Sequence, residues 1–175
     1  MKTNLYLILS AFVLFSCSEI KPREPVSYVS HTELKESISI NKELLEKERA
    51  MIMQLIERDS TDVYTSSSLG FWKLEIKKAV RENKPQIGDV VRYKKQIYDL
   101  LDNSFYKELD SVVYELNLGK QEEIIGVQEA LQTMSLGEKS LFLFPSYKAY
   151  GLLGDAKEIG VNTPLKIEIE LIEIK

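Results

Sequence analysis

Two tyrosines near the C-terminus are the first side chains in the sequence whose types and spacing could act on a substrate. Tyr147 and Tyr150 lie in the stretch LFPSYKAYGLLG, which follows an apolar run typical of a strand. A tyrosine hydroxyl can donate a hydrogen bond to a substrate carbonyl. No histidine, cysteine or acidic pair stands beside these tyrosines to serve as a nucleophile or base. The loop must therefore act without such groups.

The histidine and cysteine counts restrict the chemistry of the whole chain. The sequence has one histidine, His31, and one cysteine, Cys17. These counts exclude a disulfide framework, a zinc site built from cysteine and histidine, and a Ser-His-Asp triad in the folded part. We therefore expect no cofactor and no metal.

Length and charge indicate one globular domain with an appendage. The chain has 175 residues, of which 44% are apolar, a normal share for a protein with a hydrophobic core. Its 27 acidic and 23 basic residues are well mixed and give a net charge of -4. Because no basic stripe could follow a phosphate backbone, we do not expect nucleic acid as a partner.

The N-terminal stretch MKTNLYLILSAFVLFSC resembles a bacterial lipoprotein signal. Its apolar run from Leu5 to Phe15 is too short to span a bilayer as a helix, and it ends in LFSC, which is similar to a lipobox. We interpret residues 1–16 as a signal peptide, Cys17 as the lipidated first residue of the mature protein, and residues 17–29 as a tether. The alternative is an ordinary cleaved signal with Cys17 nearby by chance. Lipidation predicts a membrane-anchored lipoprotein of the cell envelope, in the outer membrane and facing the periplasm.

An amphipathic pattern over residues 30–58 predicts one long helix. Ser30 and Glu33 fit a capping box at its start. Apolar residues recur at helical spacing while the other face is charged. The repeating apolar positions are Leu34, Ile38, Leu45, Ile52 and Ile56. This stripe must be covered, either by the following domain of the same chain or by a second copy of the helix in a homodimer, and the sequence leaves both open.

The remaining sequence predicts an antiparallel sheet with one helix across it. The connecting segment 59–84 contains a first strand, FWKLEIKKAV, in which apolar and charged residues alternate. Four more strand candidates follow: VVRYKKQIYDLL, SVVYELNLG, KSLFLFP and PLKIEIELIEIK. The stretch EEIIGVQEALQTMSLGEK has helical spacing and a stop at Gly137. We predict an α+β fold, a five-stranded antiparallel sheet wrapped on one helix, because no βαβ alternation is present.

The C-terminal half carries several motifs in a specific order. From Leu118 onward, a leucine-glycine pair, an acidic and aliphatic turn, a helix ending in Met-x-x-Gly, an apolar strand, a proline, an Ala-Tyr-Gly triplet and an alternating strand follow one another. This order resembles the FKBP family of peptidyl-prolyl cis-trans isomerases, or rotamases, over residues 85–175. PREP and SSSLGFW, before that region, are similar to the gliding-motility-associated FKBP-like lipoproteins of the Bacteroidetes. The resemblance implies the FKBP-like fold and isomerase activity.

Isomerase activity agrees with the missing catalytic groups. Rotation about an Xaa-Pro bond breaks no bond and has a barrier of roughly 20 kcal/mol. At the barrier the twisted amide loses its resonance and its carbonyl becomes less polar. A dry apolar cup that grips proline stabilises this state relative to the planar amide in water.

The resemblance also implies site residues. Tyr150 of the triplet would hydrogen-bond the substrate carbonyl, the backbone N–H of Ile124 would also face substrate, and Phe105 would form one wall. Further substrate-binding positions implied in the same way are Tyr114, Glu123, Val127, Ile159, Ile167, Tyr93 and Tyr106. We interpret Tyr147 as a buried corner residue with a structural role.

The resemblance implies valine at Glu123 and, in many members, an indole at Val127, and two further departures from the family pattern matter more. A count without gaps from Gly88 to Phe105 places Lys95 where the family has a pocket tyrosine, with Tyr93 two residues earlier on the same strand face. Tyr106 stands where the family has an aspartate. These departures predict weak turnover with proline binding retained.

The sequence therefore predicts a lipid-anchored peptidyl-prolyl isomerase that helps exported proteins to fold. Its partners would be proline-containing protein clients, the membrane through Cys17, and a second copy of the chain if the helix dimerises. The alternative is a non-catalytic scaffold subunit of an envelope machine for gliding or secretion, which would hold a proline-containing peptide in the same cup.

Overall fold

The computed structural model describes residues 31–59, 61–79, 82–106 and 112–175. The predicted signal peptide 1–16, the lipidation site Cys17, the tether 17–29 and the capping residue Ser30 lie outside these residues.

The chain divides into two units, Met1–Ile38 and Ser39–Lys175. The described part of the first unit is the start of a helix, and the second unit contains the sheet and the rest of that helix. Among the described residues, no helix is long and apolar enough to cross a bilayer.

The long helix predicted from the amphipathic pattern is α1, His31–Arg58. Its side chains Ile52 and Leu55 are buried in a cluster with Trp72 and Leu143. Positions three and four apart share one face of a helix, which is why these two apolar residues point the same way. This part of the apolar stripe is therefore covered within the chain itself.

Seven strands lie within the described residues, in the chain order β1 Thr65–Ser66, β2 Trp72–Lys77, β3 Val90–Tyr98, β4 Ser104–Phe105, β5 Tyr114–Asn117, β6 Lys139–Phe144 and β7 Leu165–Ile174. A second helix, α2, spans Ile125–Thr133, and a 3-10 turn, Ser146–Lys148, follows β6. The expected five-stranded sheet is corrected to seven strands. The two additional strands, β1 and β4, have two residues each and are too short to produce an alternating pattern.

The strands form one antiparallel sheet in the order β1-β2-β6-β7-β3-β4, with β5 also paired to β3. Strand β6 lies between β2 and β7, with Trp72 opposite Leu143 and Leu165 opposite Phe144. Because successive side chains point to opposite faces, Phe144 and Leu143 serve different layers.

The main core lies between α2 and one face of the sheet. From α2 it receives Val127, Ala130 and Leu131, which are completely buried. From the strands it receives Val91, Tyr93, Ile97, Phe142, Phe144, Leu165, Ile167, Ile169 and Leu171. The opposite face carries Trp72 and Leu143, the residues covered by α1. The sheet is thus packed on both sides, and β6 contributes to both layers.

The packing of α1 on the sheet predicts the effect of a truncation. Ile52 is fully buried, and Ile52→Ala would leave a cavity beside Leu55, Trp72 and Leu143. We expect the free energy of unfolding to fall by about 2–5 kcal/mol. Urea denaturation followed by circular dichroism measures this change.

A matched control lies on the same helix. Ile40 is 59% exposed, so Ile40→Ala should change the free energy of unfolding by about 0.5 kcal/mol or less. Equal small effects of the two substitutions would contradict the docking of α1 on the sheet.

Candidate functional site

The loop that carries Tyr150 is fixed by a tight turn after β6. Pro145 accepts a hydrogen bond from the amide of Lys148 at 3.0 Å. The carbonyl of Ser146 accepts two more, from the amides of Ala149 and Gly151, each at 2.9 Å. These amides stand on either side of Tyr150, so the turn holds the backbone of that residue from both directions.

Tyr150 reaches a cavity of about 350 Å³ beside β3. The residues that line it are Lys95, Ile97, Tyr106, Tyr114, Tyr150, Asp155 and Lys157. Three of the seven are tyrosines, so the walls combine flat aromatic surface with hydroxyl groups. Three predicted site residues, Tyr106, Tyr114 and Tyr150, therefore meet in one cavity.

The hydroxyl of Tyr150 is a hydrogen-bond donor without a partner among the described residues. Burial raises its pKa to about 12, and the negative charges of Glu123 and Asp155 act in the same direction. At neutral pH the hydroxyl therefore keeps its proton and can donate to a carbonyl placed in the cavity.

A cluster around the carboxylate of Glu123 forms the deeper wall of the site. This carboxylate accepts hydrogen bonds from the hydroxyl of Tyr93 and from the ammonium of Lys95, the latter at 2.5 Å. The ring of Tyr93 stacks on Tyr114 with centroids 5.5 Å apart, and Lys95 lies 4.8 Å from the centre of the Tyr114 ring. Burial raises the pKa of Tyr93, and Glu123 adds to the effect through its charge and its hydrogen bond.

This cluster shows which side chains occupy the wall where the family has a pocket tyrosine and the ungapped count places Lys95. Tyr93 and Lys95 lie on one face of β3, and both reach the same carboxylate of Glu123. Tyr93 is only 1% exposed and lies beneath the pocket, whereas Lys95 lines it. A tyrosine is therefore present at this wall, with a lysine beside it.

The backbone N–H of Ile124 is already used. It donates a hydrogen bond to the side-chain carboxylate of Glu123 at 2.8 Å. Ile124 is the residue before the first turn of α2, where amide groups have no partner within the helix. The carboxylate therefore occupies the amide of Ile124, which the family resemblance implies would face the substrate.

Glycine at position 126 lets α2 approach the loop of Tyr150. A Cβ atom on Gly126 would lie 2.7 Å from the carbonyl oxygen of Lys148 and 2.7 Å from the ring of Phe144. Both distances are shorter than any ordinary contact, so a larger residue would push the helix away from the loop.

The flap, residues 151–164, is organised by Asp155. One carboxylate oxygen accepts the amides of Lys157 and Ile159, both at 2.9 Å, and the other accepts the hydroxyl of Tyr106. Burial raises the pKa of Asp155, but these hydrogen bonds outweigh that effect and hold it below its usual value. The flap is therefore tied to the opposite wall through Tyr106.

The other predicted residues lie around or below the cavity. Val127 and Ile167 are fully buried, Ile159 is 3% exposed, and all three belong to the core cluster. Phe105 is partly buried against the same core. Tyr147, expected as a buried corner residue, is instead 50% exposed, because its ring lies outside the turn near Gly70.

Sequence reasoning did not identify Asp155 and Lys157 as pocket residues. An aspartate that follows Gly154 in a short loop is a typical Asx-turn signal, because its carboxylate can accept amides a few residues on. That signal could have indicated the role of Asp155 in the flap. Among the described residues, no group of three or more His, Cys, Asp or Glu side chains could hold a metal ion.

Comparison with known proteins agrees with this geometry. Residues 81–172 match the family model of the FKBP-type peptidyl-prolyl cis-trans isomerase. FK506-binding protein 1B of Aspergillus fumigatus is 31% identical over 115 residues, which cover 61% of this chain and 96% of that protein. Peptidyl-prolyl cis-trans isomerase FKBP11 of Bos taurus is 34% identical over 59 residues, 34% of this chain and 29% of that protein.

A solved structure is similar over most of both chains. The peptidyl-prolyl cis-trans isomerase of Pseudomonas syringae pv. tomato superposes with a TM-score of 0.63 at 25% identity and covers 77% of this chain and 95% of that one. The family match, the antiparallel sheet around α2 and the tyrosine-lined cavity lead to one conclusion: the chain belongs to the FKBP family and is a peptidyl-prolyl cis-trans isomerase.

Proposed function

We propose that the chain isomerises Xaa-Pro bonds in the cavity beside β3, with Tyr150 as the hydroxyl donor to the substrate. The observation that supports this proposal best is the unpartnered hydroxyl of Tyr150 at a cavity of about 350 Å³. A proline ring and its neighbouring peptide group are small enough for such a space. The aromatic rings of Tyr106 and Tyr114 offer it flat apolar contacts.

The physical basis of the rate enhancement is solvation and shape. In water, hydrogen bonds stabilise the planar and more polar amide, which raises the barrier to rotation. Transfer of the prolyl ring to a wall of aromatic rings removes part of that stabilisation from the ground state. The Tyr150 hydroxyl then orients the carbonyl without any proton transfer.

Glu123 limits the reaction in this proposal. A substrate carbonyl that is to bind the N–H of Ile124 must first displace the Glu123 carboxylate, which accepts that amide at 2.8 Å. The carboxylate is held in place by Tyr93 and Lys95, so displacement breaks a network rather than one bond. We therefore attribute the weak turnover predicted from the sequence to competition for this amide.

In the proposed cellular role, the enzyme is a lipid-anchored folding helper for exported proteins. The supporting feature is the signal-like N-terminus with its LFSC motif and Cys17. Unassisted Xaa-Pro isomerisation takes tens of seconds, which is slow enough to limit the folding of proline-containing clients. Placement in the outer membrane, facing the periplasm, would bring the pocket to such clients.

A homodimer through α1 is a further part of the proposal. Ile38 and Leu45, two positions of the predicted apolar stripe, are 59% and 41% exposed. They precede the buried residues Ile52 and Leu55 on the same face of the helix. A second copy of the helix would cover them.

The role of Tyr150 is tested by removing one oxygen atom. We expect Tyr150→Phe to lower kcat/KM by about tenfold, the value of one lost hydrogen bond in the transition state. A protease-coupled assay of a prolyl peptide on the full chain, purified in detergent, measures this rate. Tyr147→Phe is the matched control and should leave the rate unchanged, since the exposed Tyr147 lies outside the cavity.

Two results would contradict the catalytic proposal. One is a wild-type rate equal to the uncatalysed background in a chain that circular dichroism shows to be folded, which would favour the scaffold function. The other is an equal rate for wild type and Tyr150→Phe, which would remove Tyr150 from the mechanism.

The competition at Ile124 is tested by comparing two variants. Lys95→Met alone leaves the carboxylate on the amide, whereas Lys95→Met with Glu123→Val frees the amide for substrate. We expect the double variant to exceed the single variant in kcat/KM by about 2- to 10-fold, mainly through a lower KM. Because the double variant also leaves the Tyr93 hydroxyl without its acceptor, thermal melting must accompany the assay. Equal KM values in two folded variants would refute the competition.

The anchor is tested at the proposed lipidation site. Cys17→Ser should prevent acylation and move the protein from the membrane fraction to the soluble fraction, because the acyl chains supply the membrane affinity. Fractionation and mass spectrometry of the N-terminal peptide measure both effects. An unchanged membrane fraction, or an unmodified Cys17 in the wild-type protein, would refute lipid anchoring.

A further inference from the structure

A buried glutamate on α1 binds the loop that carries Tyr150. Glu48 is 1% exposed, and its two carboxylate oxygens accept hydrogen bonds from the amide and the hydroxyl of Ser146, at 2.8 and 2.6 Å. A buried carboxylate is unfavourable unless donors satisfy it, and here one serine supplies both. The contact joins positions 98 residues apart.

Ser146 transmits this contact toward Tyr150. Its amide and hydroxyl are bound to Glu48, while its carbonyl accepts the amides of Ala149 and Gly151, which flank Tyr150. The serine is therefore the point where α1 and the tight turn are joined. A displacement of Ser146 would displace the backbone on both sides of Tyr150.

The apolar contacts of α1 place the carboxylate at this point. Ile52 and Leu55 follow Glu48 by four and seven residues, so all three lie on one face of the helix. The two apolar residues pack on Trp72 and Leu143, and Leu143 lies on the strand that leads to Ser146. The helix is thus fixed to the sheet next to the loop that Glu48 binds.

We propose that Glu48 is a positioning residue of the isomerase, which holds the Ser146 turn and thereby sets the place of the Tyr150 hydroxyl over the cavity. The proposal rests on the proposed role of Tyr150. It makes α1 part of the enzyme, although Glu48 lies outside residues 81–172 that match the family model.

Substitutions at position 48 test the proposal on the full chain. Glu48→Ala should lower kcat/KM by up to about tenfold, no more than Tyr150→Phe does, because it acts only through that hydroxyl. Glu48→Gln keeps an oxygen for the Ser146 amide and should restore most of the rate. Glu46→Ala is the matched control, since Glu46 is on the same helix with its side chain 71% exposed, and it should have no effect.

A double variant separates positioning from a general loss of structure. In the Tyr150→Phe background the hydroxyl is absent, so adding Glu48→Ala should change kcat/KM by less than about twofold. Circular dichroism at the assay temperature confirms that each variant is folded. If Glu48→Ala proves unfolded, the same comparison is made with Glu48→Gln, whose smaller loss of rate should also disappear in the Tyr150→Phe background.

Two outcomes would overturn the positioning role while leaving the proposed function intact. In the first, Tyr150→Phe lowers the rate but Glu48→Ala, folded, does not. In the second, the effects of the two substitutions multiply in the double variant, which would show that Glu48 acts independently of the Tyr150 hydroxyl.

Discussion

Strand β6 is buried on both faces, and the position of the candidate site depends on this constraint. Phe142 and Phe144 belong to the core beneath α2, whereas Leu143 packs on α1. A register shift of one residue would turn Phe142 and Phe144 toward α1 and Leu143 toward α2, and neither layer would then pack as it does. The register therefore fixes where Pro145 leaves the sheet, and with it the turn that leads to Tyr150.

Carboxylates with little exposure add directional hydrogen bonds to the apolar packing between segments. The buried Glu48 and Glu138 and the partly buried Glu123 each accept several hydrogen bonds from side chains or amides of other residues. Glu138, for example, accepts the hydroxyl of Ser140 and binds the ammonium of Lys73 on the neighbouring strand, both at 2.6 Å. Apolar contacts have no direction, whereas these bonds do. They set the exact juxtaposition of helix, sheet and loop that a pocket requires.

The elements whose residues follow a local hydrophobic period could be predicted from the sequence. The alternation in β7 predicted that Leu165, Ile167, Ile169 and Leu171 share a buried face, and all four are completely buried. Contacts between distant segments left no such signal. Nothing near Glu48 indicates a partner 98 residues away, because a glutamate on a helix is usually solvated.

The assignment of pocket residues by counting along the sequence holds within a strand but not across a turn. The ungapped count that assigned Lys95 to the tyrosine position ran from Gly88 to Phe105 and crossed the turn that Asp99 holds by accepting the amides of Leu101 and Asn103. Strand geometry fixes spacing within β3, but turns accept insertions, so an ungapped count across one carries no such constraint. The structure places both residues at this wall, with Tyr93 stacked on Tyr114 and Lys95 in the lining of the cavity.

The ion pair in the wall is compatible with a reaction that requires weakly polar surroundings. Lys95 and Glu123 are 2.5 Å apart, with side chains only 9% and 11% exposed. At this separation the two charges largely cancel at the distance of a bound amide, so the substrate meets a dipole rather than a net charge. The ring of Tyr114 lies against the ammonium at 4.8 Å and shields it further. The twisted amide requires a low net field, and a compensated ion pair next to an aromatic ring satisfies this condition.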